Sequence, residues 1–260
     1  MDSAQTVERL SQSTVGLAFP GEVSEYALKL ASTAEEIRQA QRLRFEVFNL
    51  ELREGLESSI THGLDVDEFD RVCDHLLVWH KPTQKVIGTY RLQTGSMAAT
   101  QLGYYSAQEF DFTPYEKNRT QMIELGRACV HREHRNLSAL HLLWRGIVWY
   151  ARKHHARYLI GCSSLTSQDS SLGLAMYQYL ARTHLADPEF LTLPRPDFVL
   201  NVVPPLENCP PPPKLLRAYL SIGAKICAPP ALDREFKTID FLTMVDLRTL
   251  PRAVMNHFIG

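Results

Sequence analysis

The sequence predicts a mixed α/β protein in which one mostly antiparallel sheet is covered by helices on both faces. Three observations point there. Short apolar runs with strand character recur at YALKLA, DHLLVWH, KVIGTYRLQT, MIELGRACV and RYLIGCSSL. Between them lie longer stretches whose apolar residues return every three or four positions, the spacing of a helix face. Finally, DHLLVWH and KVIGTYRLQT flank KPTQ, a short Pro-containing turn that joins antiparallel neighbours.

Residues 1–24 are polar and aperiodic and read as a flexible tail. YALKLA then alternates from Tyr26 as a first strand with one buried face. Ser32 or Thr33 caps a helix expected over 34–53, with Ile37, Leu43, Phe45, Val47, Phe48 and Leu52 on its apolar side. The following REGLESSITHGLDVDEFDRVC carries glycines and acids without sustained periodicity, a loop long enough to be functional. After the hairpin and an irregular stretch with small helices (95–118), Met122 to Val130 resumes strand character. Asn136 or Ser138 caps a helix bearing Leu140, Leu143, Trp144, Ile147, Val148 and Ala151, and RYLIGCSSL follows as a buried strand. A further helix runs from Ser170 or Ser171 to Thr183. Beyond it come a proline-rich stretch, a helix at KLLRAYLSIGAK and a last strand at FKTIDFLTMVDL. The core is expected over 25–185, with 186–260 as a C-terminal extension packed on the same domain.

Composition excludes several functions. The 28 basic and 29 acidic residues of the 260 leave a net charge of -1, so no global field attracts nucleic acid. Five scattered cysteines form no CxxC or Cys/His pair at ligand spacing, so no metal is expected, and they read as reduced thiols of a cytoplasmic protein. The histidines, including His154 and His155, diverge on their helix and form no metal cluster. No apolar run reaches the roughly 20 residues of a membrane span, and the N-terminus lacks the basic and apolar regions of a secretory signal.

Four fragments in order carry a chemical signal: Arg44-x-x-Val47-Phe48; the acidic run Asp65, Asp67, Glu68, Asp70; Gly88-x-Tyr90-Arg91-Leu92; and Glu124-Leu125-Gly126-Arg127. Together they resemble the GCN5-related N-acyltransferase superfamily, within it the branch shared by acyl-homoserine-lactone synthases and bacterial ornithine N-alpha-acyltransferases. The ELGRACVHREHR, LLWRG and GCSSL segments, and the stretch from PKLLRAYL to FLTMVDL, resemble the ornithine branch. The tryptophan that lactone synthases carry soon after their Val-Phe pair is replaced here by the neighbourhood of Arg53 and Glu54.

The resemblance implies a GCN5-related fold and transfer of a 3-hydroxyacyl group from acyl carrier protein to the α-amino group of ornithine, giving a lyso-ornithine lipid. It implies substrate-binding roles for Arg44, Phe48, Asp67, Asp70 and Arg91, with the acidic run drawing in a cationic acceptor. Such chemistry needs a neutral amine, a proton acceptor and a donor for the oxyanion. Glu124 is the expected proton acceptor, with Arg127 beside it and strand amides near Cys129, not its thiol, at the oxyanion. Three residues apart on a regular strand, Glu124 and Arg127 face opposite sides, so a shared role requires a bulge. The alternative reading is a structural salt bridge around a bulge.

One departure bears on the donor. Coenzyme A users present a glycine-containing loop between central strand and helix, where amides hold pyrophosphate. Here Arg135-Asn136-Leu137-Ser138-Ala139-Leu140 has neither glycine. That disfavours coenzyme A and favours a carrier protein's pantetheine arm, with Arg132, Arg135, Ser138 and Ser163 as carrier or pantetheine contacts and no other cofactor. Ser163 has two readings, a hydrogen bond to that arm or simple strand termination. Acylation of another amine, lactone synthesis, and an inactive carrier-binding or lipid-binding module stand as rival functions. Contact with the inner membrane would be peripheral, following from a lipid product.

Overall fold

The computed structural model describes residues 22–251. Its strands are β1 (Glu22–Val23), β2 (Tyr26–Leu30), β3 (Asp74–His80), β4 (Lys85–Thr94), β5 (Met122–Val130), β6 (Tyr158–Leu165), β7 (Lys225–Ile226), β8 (Ala231–Asp233) and β9 (Thr238–Asp246). They form one sheet ordered β1-β2-β3-β4-β5-β6-β9-β7, with β8 beside β9. Every pairing is antiparallel except β5 with β6. The four main helices are α1 (Ala34–Phe45), α2 (Leu137–Lys153), α3 (Ser170–His184) and α4 (Lys214–Ser221).

Strand alternation assigns the two faces. Leu76, Val78, Tyr90 and Leu92 meet Leu142, Leu143 and Ile147 of α2 on one side, while Leu77, Val86 and Cys129 meet Ala40 and Leu43 of α1 on the other. At the far end of the sheet, Ile239 and Phe241 pack with Met176 and Leu180 of α3 and Leu216 of α4. Leu242 and Met244, on the opposite face of β9, pack with Phe110, Phe112 and Tyr115 from the segment joining β4 to β5. Helix α2 approaches β3 closely at Gly146, where a Cβ would come within 2.7 Å of the Leu76 side chain.

Local chemistry sets the helix starts. The Thr33 hydroxyl accepts from the Glu36 N–H at 3.3 Å, and the Asn136 side-chain oxygen accepts from the Ala139 N–H at 3.0 Å. Three expectations need correction. Glu22–Val23, assigned to the tail, pair with Tyr26 and Ala27; residues 1–21 lie outside the described ones. The helix expected over 34–53 is α-helical only to Phe45 and π-helical over Glu46–Glu51, with the Leu52 N–H reaching back to the Val47 carbonyl at 3.0 Å. The helix at KLLRAYLSIGAK stops at Ser221, because the chain turns at Gly223 with φ +99°. The last strand expected at FKTIDFLTMVDL is β9, which pairs with β6 at eight positions within the sheet.

Candidate active site

Strands β5 and β6 run together for only three pairs, Met122↔Tyr158, Ile123↔Leu159 and Glu124↔Ile160, and then part. Gly161 marks the parting. A Cβ there would sit 2.2 Å from the Leu125 carbonyl oxygen, so this approach of the two backbones requires glycine. On the α2 side the parting forms a slot lined by Leu125, Trp144, Gly161, Ser163, Tyr219 and Thr243. Ser163 is buried in it, its hydroxyl accepting from Thr243 Oγ1 at 2.8 Å.

The bulge that the Glu-x-x-Arg spacing requires is present. Arg91 pairs with Gly126 and Thr89 with Cys129, so two steps of β4 span three of β5. Arg127 absorbs the extra residue with φ +50°, a left-handed conformation uncommon outside glycine. Its side chain thereby shares the face of Glu124 and Arg91. The guanidinium lies 4.2 Å from the Phe236 ring centroid and 4.9 Å from that of Tyr105.

The acidic run is not a solvated loop. Arg44, Arg91 and Arg127 interlock with Asp65, Asp67 and Asp70: Arg44 reaches Asp65 at 2.7 Å and Asp70 at 2.6 Å, Arg91 reaches Asp67 at 2.5 Å and Asp70 at 3.1 Å, and Arg127 reaches Asp67 at 2.9 Å and Asp65 at 3.3 Å. Burial pushes the Asp67 carboxyl up, but Arg91 and Arg127 outweigh it and hold it below the usual range. Asp70 goes the same way, with Arg44 and Arg91 overcoming burial. Arg44 is 1% exposed and Phe48 packs edge-on against Phe236, so neither presents a free surface to a small molecule. Arg44, Asp67, Asp70 and Arg91, the residues expected to bind the acceptor, are thus brought together and paired with one another.

Glu124 is buried and accepts the Tyr105 and Ser106 amides at 2.7 Å each. Burial raises its carboxyl above the usual value, with those amides and Arg91 only partly opposing the rise. Cys129 is buried in β5, and burial also pushes its thiol well up, so it is a poor nucleophile. In the β5–α2 loop, exposed Arg135 holds Glu51 with both terminal nitrogens, at 2.6 and 2.7 Å. Arg132 is exposed and Ser138 half-buried.

Four further acids on the Glu124 face escaped sequence reasoning. Glu54, Glu109, Asp233 and Asp240 are all buried, and none forms an ion pair with Lys or Arg among the described residues. Burial, then Asp240 and Asp233, lift Glu109 well above the usual range. Burial and the nearby Asp233 lift Asp240 to about 6, against an opposing hydrogen bond from Ser164. Cys162 Sγ lies 3.8 Å from Glu109 and 3.4 Å from Ser106 Oγ, and burial beside these acids keeps it a thiol. The available signal was a charged residue inside an apolar strand, Ile239-Asp240-Phe241-Leu242.

A parted parallel pair within an otherwise antiparallel sheet, with a bulged strand beside the parting, defines a GNAT-type acyltransferase, and the family model described as the Acetyltransferase (GNAT) domain matches residues 43–145. The fold is similar to that of FeeM, an N-acyl amino acid synthase from uncultured soil microbes, with a TM-score of 0.50 at 10% identity over 86% of this chain and 91% of that one. Curated relatives extend the likeness along the chain. An L-ornithine N(alpha)-acyltransferase of Rhodobacter capsulatus is 33% identical over 86% of this chain and 91% of its own length. Those of Agrobacterium fabrum and Brucella abortus are 30% and 29% identical, covering 92% and 99% of this chain and 87% and 97% of their own. The chain belongs to the L-ornithine N(alpha)-acyltransferase family.

Proposed function

We propose that the protein transfers a 3-hydroxy fatty acyl group from the phosphopantetheine thioester of an acyl carrier protein to the α-amino group of ornithine, forming a lyso-ornithine lipid. The observation that carries this reading is the parting of β5 from β6 immediately after Glu124, which opens a slot on one face of the sheet and leaves the carboxylate on the other. The thioester arm enters from the α2 side, and the amine comes from the polar side. The new N–C bond forms as the C–S bond breaks, and the carrier thiol leaves with a proton.

Glu124 takes the proton of the attacking amine. Each of its oxygens already accepts one amide, which fixes the carboxylate, and retains a second lone pair for the amine or an intervening water. Its raised pKa makes it a stronger base than an ordinary carboxylate. For the oxyanion, hydrogen-bond alternation supports the amide of Ala128. The His131 N–H donates to Ile87 of β4, so two residues inside the bulged strand the Cys129 N–H faces β4 and that of Ala128 turns to the β6 side, where pairing has ended.

The α2 N-terminus supports a carrier donor over coenzyme A. The Asn136 side chain occupies the Ala139 amide that a pyrophosphate would need, and no glycine opens the loop. Exposed Arg132 is the basic contact for an acidic carrier, Arg135 orders the loop through Glu51, and Ser163 offers its hydroxyl to the arm. None of the described helices is long and apolar enough to cross a membrane. A peripheral encounter with the inner membrane would hand over the lipid product.

The test supplies purified protein with 3-hydroxymyristoyl carrier protein or the matching coenzyme A thioester, together with a panel of amino acids, and follows N-acyl products by mass spectrometry. Nα-acylornithine formed faster from the carrier is expected. Preference for glycine or S-adenosylmethionine, or carrier binding without product, would overturn the reading.

A further inference from the structure

We propose that Glu109, Asp240 and Cys162, backed by Asp233 and Glu54, form a pocket for the side-chain ammonium of the acceptor amino acid. The inference rests on the acceptor reading above and deepens it by locating the second charge of the diamine.

The first argument is charge balance within one face of the sheet. Asp65, Asp67 and Asp70 are each matched by arginines at 2.5–3.3 Å. Close by, four equally buried carboxylates have no Lys or Arg partner among the described residues; Arg127 lowers the Glu109 carboxyl through space but is committed to Asp65 and Asp67. Burial without a counter-charge raises the Glu54, Glu109 and Asp240 carboxyls toward their neutral forms, and a bound cation restores the ionised ones. The second argument is an orphaned atom. Asp240 is 4% exposed; its carboxyl is in contact with Ser164, Thr238 and Glu109, yet no N–H or hydroxyl donor reaches its Oδ1.

Geometry sets the size of that donor. Ligand-type atoms of Glu109, Cys162 and Asp240 all lie within 4.8 Å of one another. With Cys162 Sγ only 3.8 Å from Glu109, the three atoms converge on a space for one small cationic donor, and an ammonium offers three N–H bonds to such a set. Asp233 and Glu54 supply background charge only: Asp233 Oδ1 already accepts the Glu235 and Phe236 amides, and Glu54 accepts the Thr166 hydroxyl. Ser106 links the pocket to the chemistry, its N–H on Glu124 and its hydroxyl at Cys162 Sγ. An acceptor with its side-chain ammonium in the cluster has its α-amine at Glu124, on the other side of Ser106.

The pocket also selects which amine reacts. An ammonium held between two carboxylates stays protonated and is no nucleophile, so acylation is confined to the α-amine. A divalent metal is the competing occupant. It would require the Cys162 thiolate that these acids and burial disfavour.

The experiment compares ornithine with norvaline, which has the same carbon chain without the terminal amine, in the full-length wild type and in Asp240→Asn and Glu109→Gln. Readouts are the kcat/KM ratio of the two acceptors and calorimetric binding of ornithine and putrescine. The wild type should favour ornithine by at least about 100-fold, and each variant should narrow the ratio to within about tenfold, chiefly through the ornithine KM. A ratio unchanged in both folded variants, or both acceptors falling in parallel, overturns the pocket. So does a stoichiometric metal whose removal by chelator abolishes the selectivity. If the wild type acylates neither amino acid, the acceptor reading falls by itself; the pocket is then judged by calorimetry, where failure of both ornithine and putrescine to bind overturns it.

Discussion

Replacing Arg44 with Met should destabilise the protein severely. The side chain is 1% exposed and holds Asp65 at 2.7 Å and Asp70 at 2.6 Å. Methionine retains most of the volume, so the loss reports charge more than a cavity. Removing one partner of a buried pair costs about 3–5 kcal/mol because the remaining carboxylates stay buried. Arg91 and Arg127 still reach Asp70 and Asp65, which sets the expectation near the lower end, about 3 kcal/mol. For a chain of this size that lowers the melting midpoint by roughly 6–12 °C. The assay is thermal and urea unfolding at about 0.1 M and about 1 M NaCl, since screening weakens exposed pairs far more than buried ones. Adding Asp65→Asn to Arg44→Met should recover part of the loss, a coupling that a double-mutant cycle reads directly. A loss below about 1 kcal/mol, the value of an exposed pair, or one that vanishes in high salt, would refute the interlocked arrangement.

Other outcomes follow from the same geometry. Glu124→Gln should lower kcat by about 100-fold or more while the protein stays folded, checked by steady-state kinetics beside circular dichroism. Gly161→Ala should cost at least about 2 kcal/mol, read by urea unfolding, because its Cβ would stand 2.2 Å from the Leu125 oxygen. Cys129→Ala should remain active and no acyl adduct should appear on Cys129 by mass spectrometry, since burial holds the thiol protonated. Stability should peak in mildly acidic solution, near about pH 5. Asp67 and Asp70 have lowered folded values, so their stabilisation is present above the ordinary 3.8 and is lost as pH falls through the folded values. Glu54, Glu109, Glu124 and Asp240 have raised values, so theirs is present below the ordinary 3.8 to 4.5 and is lost as pH rises through the folded values, about 6 for Asp240. Melting temperatures from pH 3 to pH 8 should therefore trace a maximum, and a monotonic rise would count against the raised group.

The strands were legible because their signal is local. Alternation marks β2, short apolar runs mark β3 to β6, and KPTQ declares its hairpin without help from distant residues. The π-helical turn at Glu46–Glu51 was not legible, because one extra residue per turn leaves no periodicity of its own across six positions. The site divides along the same line. Glu124 and Arg127 were found by their motif, and their spacing of three on a strand implied the bulge that Arg127 supplies. The fate of Asp67 and Asp70 was hidden, since their partners stand 21 to 60 residues away in the chain. An acidic run reads as solvated until the opposing arginines are folded onto it. Asp240 lies farther still from Glu109, and only the sheet brings β9 under the β4–β5 segment.

The long pairing of β6 with β9 gives the protein a timetable. Part of the slot between β5 and β6, at Thr243, belongs to a strand made more than a hundred residues after Glu124. While the ribosome is still translating the proline-rich stretch, β6 presents an unpaired apolar edge, and Glu124 belongs to a half-built sheet. Competence for acyl transfer therefore arrives late and all at once, and any translational pause before β9 prolongs the interval in which that edge is open to aggregation.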